Sequence, residues 1–186
     1  MALGHYAPLS YRDLRAGQTM PTSLPASEIS IRSAVDNDAA EIVACLQAAF
    51  APYREFYTPA AFLDTVLTPE TLQDRLASMQ VFVAENSSGQ IVGTIACQVI
   101  GSGEGHLRGM AVSPNCQGSG ISAQLLAHAE AELRRQRCTH VTLDTTEPLQ
   151  RAMHFYEKFG FRRSGRISDF FGMPLVEYHK PLPPDV

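Results

Sequence analysis

Residues 107–126, LRGMAVSPNCQGSGISAQLL, decide how the chain is read. Leu107, Met110, Ala111 and Val112 predict a short strand, and Ser113-Pro114-Asn115 predict a turn. After the small-residue segment Gln117-Gly118-Ser119-Gly120, apolar residues recur at Ile121, Leu125, Ala129 and Leu133, the spacing of one helix face. A strand, a glycine turn and a helix make a physical device. Small residues let a ligand approach the backbone, and the first N–H groups of a helix lack intrahelical partners, so they point at whatever lies in front of them. Phosphate suits such a place, although a glycine loop before a helix can also be plain punctuation. The loop is not a Walker A sequence, because no Gly-Lys-Ser/Thr follows. Nor is it a dinucleotide fingerprint, since the glycine spacing differs and no βαβ unit with a later ribose-binding acid is evident.

At 186 residues the chain suits one domain with a sizeable core. That domain is expected at 28–182, between an N-terminal extension (1–27, with Pro8, Pro21 and Pro25 and no sustained period) and a C-terminal tail (183–186). A net charge of −4 argues against a nucleic-acid-binding surface, which needs a basic stripe. No apolar run approaches the ~18–20 residues that span a membrane, and the N-terminus lacks the charged and apolar regions of a signal peptide. Cys45, Cys97, Cys116 and Cys138 form no CxxC and read as reduced thiols, so a cytoplasmic protein is expected. The histidines show no metal-ligand spacing, and no metal is expected.

Outward from the central stretch, residues 28–35 (EISIRSAV) alternate as a strand, and Asp38-Ala-Ala-Glu41 reads as a capping box before a helix carrying Ile42, Val43, Leu46, Ala49 and Phe50. Residues 51–58 (APYREFYT) are a proline-interrupted aromatic link. A second helical region, 60–79, is expected to break near Pro69, with Thr68 or Thr71 as a cap. Strands at 80–85 and 90–100 flank Asn86-Ser-Ser-Gly89, which is hairpin chemistry. The glycines of 101–105 read as a flexible hairpin connection, because no helix follows them. Residues 140–145 (HVTLDT) predict a buried strand, and 149–158 a helix closed by Gly160. A last antiparallel pair is expected at 161–167 and 173–180.

The helix carries a second motif, Ala152-Met-His-Phe-Tyr156-Glu-Lys-Phe-Gly160-Phe161, about forty residues after the glycine loop. This resembles the A-x-x-F/L-Y-x-x-x-G-F signature of the GNAT superfamily of N-acetyltransferases. Gln117–Ser122 resembles the same superfamily's Q/R-x-x-G-x-G/A pyrophosphate loop, with Ser122 in place of the last Gly or Ala. An asparagine usual seven residues before the tyrosine is replaced by Leu149, so that one coenzyme contact is either lost or supplied by Thr145 or Thr146. The resemblance covers roughly residues 28–182. It implies an α/β (α+β) fold: a mixed, mostly antiparallel sheet of six or seven strands with two splayed central parallel strands, flanked by about four helices.

The resemblance also implies a site. Acetyl-CoA would lie in the splay as co-substrate, its pantetheine arm along the backbone of Met110, Ala111 and Val112, with an N–H at or beside Val112 polarising the thioester carbonyl. Its pyrophosphate would lie on Gln117, Gly118, Ser119, Gly120, Ile121 and Ser122, with Thr145 and Lys158 as further coenzyme contacts. Tyr156 matches the family's general acid, and a tyrosine of pKa near 10 is protonated at neutral pH as that role requires. His106 is a candidate base with an ordinary pKa near 6.5. Glu104 and Asp144 follow it, and a water chain is a further option.

Tyr53, Phe56 and Tyr57, together with Asp144, Asp169, Phe170 and Phe171, are expected to shape the acceptor pocket, or else the aromatics close the core. The resulting expectation is transfer of an acetyl group from acetyl-CoA to a primary amine, of a small molecule, by direct attack in a ternary complex. Two alternatives stay open: a non-catalytic acyl-CoA-binding or regulatory module, and a peptide or protein acceptor. The final hairpin offers an edge for pairing across a two-fold axis, which makes a homodimer one expectation.

Overall fold

In a computed structural model that describes residues 29–183, the chain runs β1 (Ser30–Ser33), α1 (Ala39–Phe50), α2 (Pro59–Val66), α3 (Pro69–Ser78), β2 (Gln80–Glu85), β3 (Ile91–Gly101), β4 (Glu104–Val112), α4 (Ile121–Arg135), β5 (His140–Thr146), α5 (Gln150–Lys158), β6 (Arg162–Phe170) and β7 (Met173–Pro181). The expected N-terminal extension and residues 184–186 of the expected tail lie outside the described residues. One seven-stranded sheet has the order β1-β2-β3-β4-β5-β7-β6, antiparallel everywhere except between β4 and β5. This is the mixed sheet with a central parallel pair that the motifs imply.

The described residues carry five α-helices, the second helical region being divided before Pro69 as expected. Leu67 turns the chain with φ +61°, and Thr68 opens α3 by accepting the Thr71 N–H, with Pro69 at the first helical position. Two further local expectations give way to distant partners. The capping box at 38–41 does not form. The Asp38 carboxylate instead takes the Arg32 guanidinium at 2.6 Å and the Val35 N–H, while Glu41 accepts the N–H of Ile91. A charged donor is a stronger partner than a helix amide. The glycine connection at 101–105 shrinks to the turn Ser102-Gly103. Gly105 lies inside β4, where an added Cβ would stand 2.6 Å from Leu133 Cδ1 of α4.

The core has two sides. Leu107, Val112, Leu125, Leu133, Leu143 and Met153 fill the α4–α5 side, and Ile42, Leu46, Leu72, Val83 and Ala111 the α1–α3 side. Two irregularities shape what lies between. β4 and β5 pair only from Glu104↔His140 to Leu107↔Leu143, after which 108–112 and 144–146 diverge. On its other edge β4 bulges against β3: Thr94 faces Ala111 but Ala96 faces Arg108, and Gly109 within the bulge has φ +62°. The extra residue shifts the side-chain alternation. Leu107, Met110 and Val112 face α4, whereas Ala111 joins the opposite core.

Candidate active site

A cleft of about 650 Å³ passes through the sheet where β4 and β5 part. Its wall takes Gln117, Gly118, Gly120, Ser122, Tyr156 and Lys158 from the α4–α5 side and Tyr53, Tyr57, Arg75, His106, Arg108 and Asp144 from the other.

On the first side the turn into α4 is built to leave donors free. Gly118 and Gly120 have φ +82° and +86°, a conformation that L side chains rarely adopt, and the space an added Cβ would enter is open. Among the described residues, the N–H groups of 118–122 find no acceptor. They stand at the positive end of a 15-residue helix. The Gln117 side chain ties the turn down by donating to the Val112 carbonyl at 3.2 Å and accepting from Arg151 at 3.3 Å. Ser119 donates its hydroxyl to the Cys116 carbonyl. Nearby, the Thr145 hydroxyl is buried with no hydrogen-bond partner, in the wall of the cleft. Tyr156 packs edge-on against Phe155 and Phe161, and burial pushes its phenol well above the ordinary value of 10. Among the described residues no group bonds its hydroxyl.

On the second side a polar chain crosses the parallel pair. Thr142 Oγ1 donates to Glu104 Oε1 at 3.0 Å and stands 3.0 Å from His106 Nδ1. A hydroxyl has one proton and a carboxylate has none to offer, so the Thr142 oxygen accepts from Nδ1–H. The unprotonated Nε2 then faces Asp144 Oδ2 at 3.7 Å. Burial is the largest influence on both groups, lowering His106 and raising Asp144, with each partner's charge opposing it. Tyr57 and Thr146 share a hydrogen bond between hydroxyls at 2.5 Å, which ties the aromatic link to β5.

Of the residues singled out in the sequence, Tyr53, Tyr57, His106, Met110, Ala111, Val112, Gln117, Gly118, Gly120, Ser122, Asp144, Thr145, Tyr156, Lys158 and Phe170 line the cleft. Glu104, Ser119, Ile121, Phe56, Asp169 and Phe171 do not. Glu104 reaches His106 only through Thr142. The Ile121 side chain is buried in the core, although its N–H belongs to the free set. Phe56 and Phe171 are exposed, and Asp169 accepts the Gly172 N–H in the final turn. Sequence reasoning passed over Arg151, Arg108, Arg75 and Thr142. Arg151 carried a signal, since it precedes Lys158 by two helical turns and so shares its face. Arg75 carried none. Among the described residues no group of three or more His, Cys, Asp or Glu could hold a metal ion, and no helix is long and apolar enough to cross a membrane.

The model of the acetyltransferase (GNAT) family matches residues 39–161. Among solved structures, the fold is similar to a GNAT-family acetyltransferase from Staphylococcus aureus Mu50 (21% identity over 83% of this chain and 99% of that one, TM-score 0.69). It is also similar to the ribosomal-protein-S18-alanine N-acetyltransferase of Escherichia coli (19%, 85% and 96%, TM-score 0.68). A third likeness is the PaiA N-acetyltransferase of Thermoplasma acidophilum in complex with coenzyme A (17%, 82% and 98%, TM-score 0.68). At these identities the likeness is one of fold. No curated protein sequence matches the chain significantly.

Proposed function

The chain belongs to the acetyltransferase (GNAT) family, and on that premise we propose that it transfers the acetyl group of acetyl-CoA to the primary amine of a small molecule, by direct attack with both substrates bound. One observation carries the reading. A single cleft joins the free N–H groups at the start of α4 to the His106–Asp144 pair, through the gap between β4 and β5.

The residues on the α4–α5 side suit a long anionic ligand that bonds to backbone. Five unpartnered N–H groups, the cations Arg151 and Lys158 and the orphaned Thr145 hydroxyl all favour it. Bound there, acetyl-CoA supplies an acetyl group activated as a thioester. The N–H groups of 118–122 hold phosphate oxygens. The β5-facing backbone of 110–112 orients the thioester and polarises its carbonyl as charge develops on the oxygen. His106 Nε2, held unprotonated by the bond at Nδ1, takes the proton of the attacking amine. Tyr156 gives its hydroxyl proton to the departing sulfur, for which its raised pKa keeps it protonated at every working pH.

A covalent acetyl-cysteine has no place in this scheme. Cys45, Cys97 and Cys138 are buried, burial pushes the Cys97 thiol up to about 12, and Cys116 lies in the turn before α4 outside the cleft wall. The test is free-thiol release from acetyl-CoA against arylalkylamines, polyamines, amino acids, aminoglycosides and peptides, with Tyr156→Phe alongside. Acceptor-dependent release that falls about 100-fold in the variant is expected. Coenzyme binding without turnover of any amine would instead support a non-catalytic binding module.

A further inference from the structure

Arg75 is a charged group of the cleft wall that the scheme above leaves unused. It projects from α3 into the wall of the cleft and is 9% exposed. Among the described residues its guanidinium makes no hydrogen bond and no ion pair. The acid that acts on its charge, Asp64, is already held by Arg108. Burial and the Arg108 charge lower Arg75 to about 10, so it remains a cation at neutral pH. A buried charge without a partner is among the most disfavoured arrangements in a folded protein.

The fold nevertheless makes room for it. Arg75 Nη1 stands 2.4 Å from where a Cβ on Gly109 would be, so the guanidinium lies against the bulged backbone of β4 in space that any side chain there would fill. The bulge that turns the alternation of β4 thus also seats a cation at the cleft. Arg75 shares the α1–α3 side with His106, Arg108 and Asp144, across the sheet from the turn at 117–122. An anion bound here is therefore a different group from the coenzyme's pyrophosphate. Asp64 is taken up by Arg108 and Asp144 faces His106, so among the described residues Arg75 is left with no counter-ion of its own. That matches a single carboxylate, and the planar fork of a guanidinium fits one in a bidentate fashion.

We propose that Arg75 binds a carboxylate of the acceptor, so that the acceptor carries both an amine and a carboxylate, as amino acids and their relatives do. The inference rests on the acetyltransferase reading for the identity of the bound molecule as an acceptor. It divides the acceptor side into an amine end at His106 and Asp144 and an acid end at Arg75.

The test uses matched pairs of amines, each an amino acid and its decarboxylated counterpart, over aromatic, aliphatic and basic side chains. In the wild-type protein at least one amino acid is expected to exceed its counterpart in kcat/KM by about tenfold or more, through KM. Arg75→Gln is expected to bring that ratio to about one, and Arg75→Lys to restore part of it. Equal or better use of the decarboxylated member in every pair would overturn the proposal, and this needs only the wild-type protein. An unchanged ratio in a folded Arg75→Gln variant would overturn it equally. If no amine releases thiol, the acetyltransferase reading fails by itself. Thermal shifts with the same amino acids then decide the site: stabilisation lost in Arg75→Gln supports it, and no shift in the wild type overturns it.

Discussion

His106 Nε2 stands 3.7 Å from Asp144 Oδ2, so the nitrogen that Thr142 leaves without a proton faces a carboxylate across the mouth of the splay. Burial favours the neutral imidazole, and Asp144 favours the charged one, with burial the larger influence. If His106 is the base, kcat/KM expressed per neutral amine falls only as pH drops through a value below the ordinary 6.5. Asp144→Asn removes the charge that supports the imidazolium and moves the acid limb lower still. The same shift lowers stability as pH falls from about 6.5, because the unfolded chain takes that proton first. A profile expressed per neutral amine with its acid limb above 6.5 would assign the base elsewhere.

Thr142→Val keeps the shape of the side chain and removes the acceptor for Nδ1–H. The expected result is a fall in kcat/KM of about tenfold, with a displaced acid limb. Thr142→Ser should recover most of the loss. A purely structural role would instead lower the melting temperature and leave the pH profile where it was.

The turn into α4 can be tested by binding alone. Gly120→Val forces an L side chain into φ +86°, a conformation that costs about 1–2 kcal/mol. The expected outcome is a loss of coenzyme A affinity of at least about tenfold by calorimetry. Arg151→Ala is expected to weaken binding several-fold, and more so at low salt, because the lost attraction is one of charge.

Away from the cleft, Asp38→Ala should destabilise the chain by about 1–3 kcal/mol, since Arg32 and the Val35 N–H both lose a charged acceptor. The Arg32 guanidinium holds the Asp38 carboxyl below its ordinary 3.8. Its contribution is therefore present above about pH 4 and is lost as pH falls through the lower folded value. Urea midpoints at pH 7 and pH 3 should show the variant's deficit shrinking in acid.

What could be read in the sequence was what neighbours in sequence determine. Gln117–Ser122 and the helix around Tyr156 each carry their meaning within a dozen residues, and the order of strands and helices follows from periodicity. Asp38 misled because its better partner, Arg32, reaches it across a loop. Glu104 and His106 are two residues apart, yet their connection runs through Thr142 on another strand. Arg75 sits in a helix whose pattern is otherwise unremarkable, and its significance comes from a bulge on β4 and a missing Cβ at Gly109. Bulges and strand divergence leave no mark at the level of residue spacing.

The parting of β4 from β5 after Leu107 has a mechanical consequence. Past that point a sheet of seven strands has an edge in its interior, and the four-strand and three-strand halves are sewn together by four residue pairs. A ligand whose backbone-like groups bond along 108–112 extends the seam. Amide exchange at those positions, and across β5–β7 as a block, should then slow together when the slot is filled; on the proposed reading the coenzyme would be a stitch in the fold as well as a reactant.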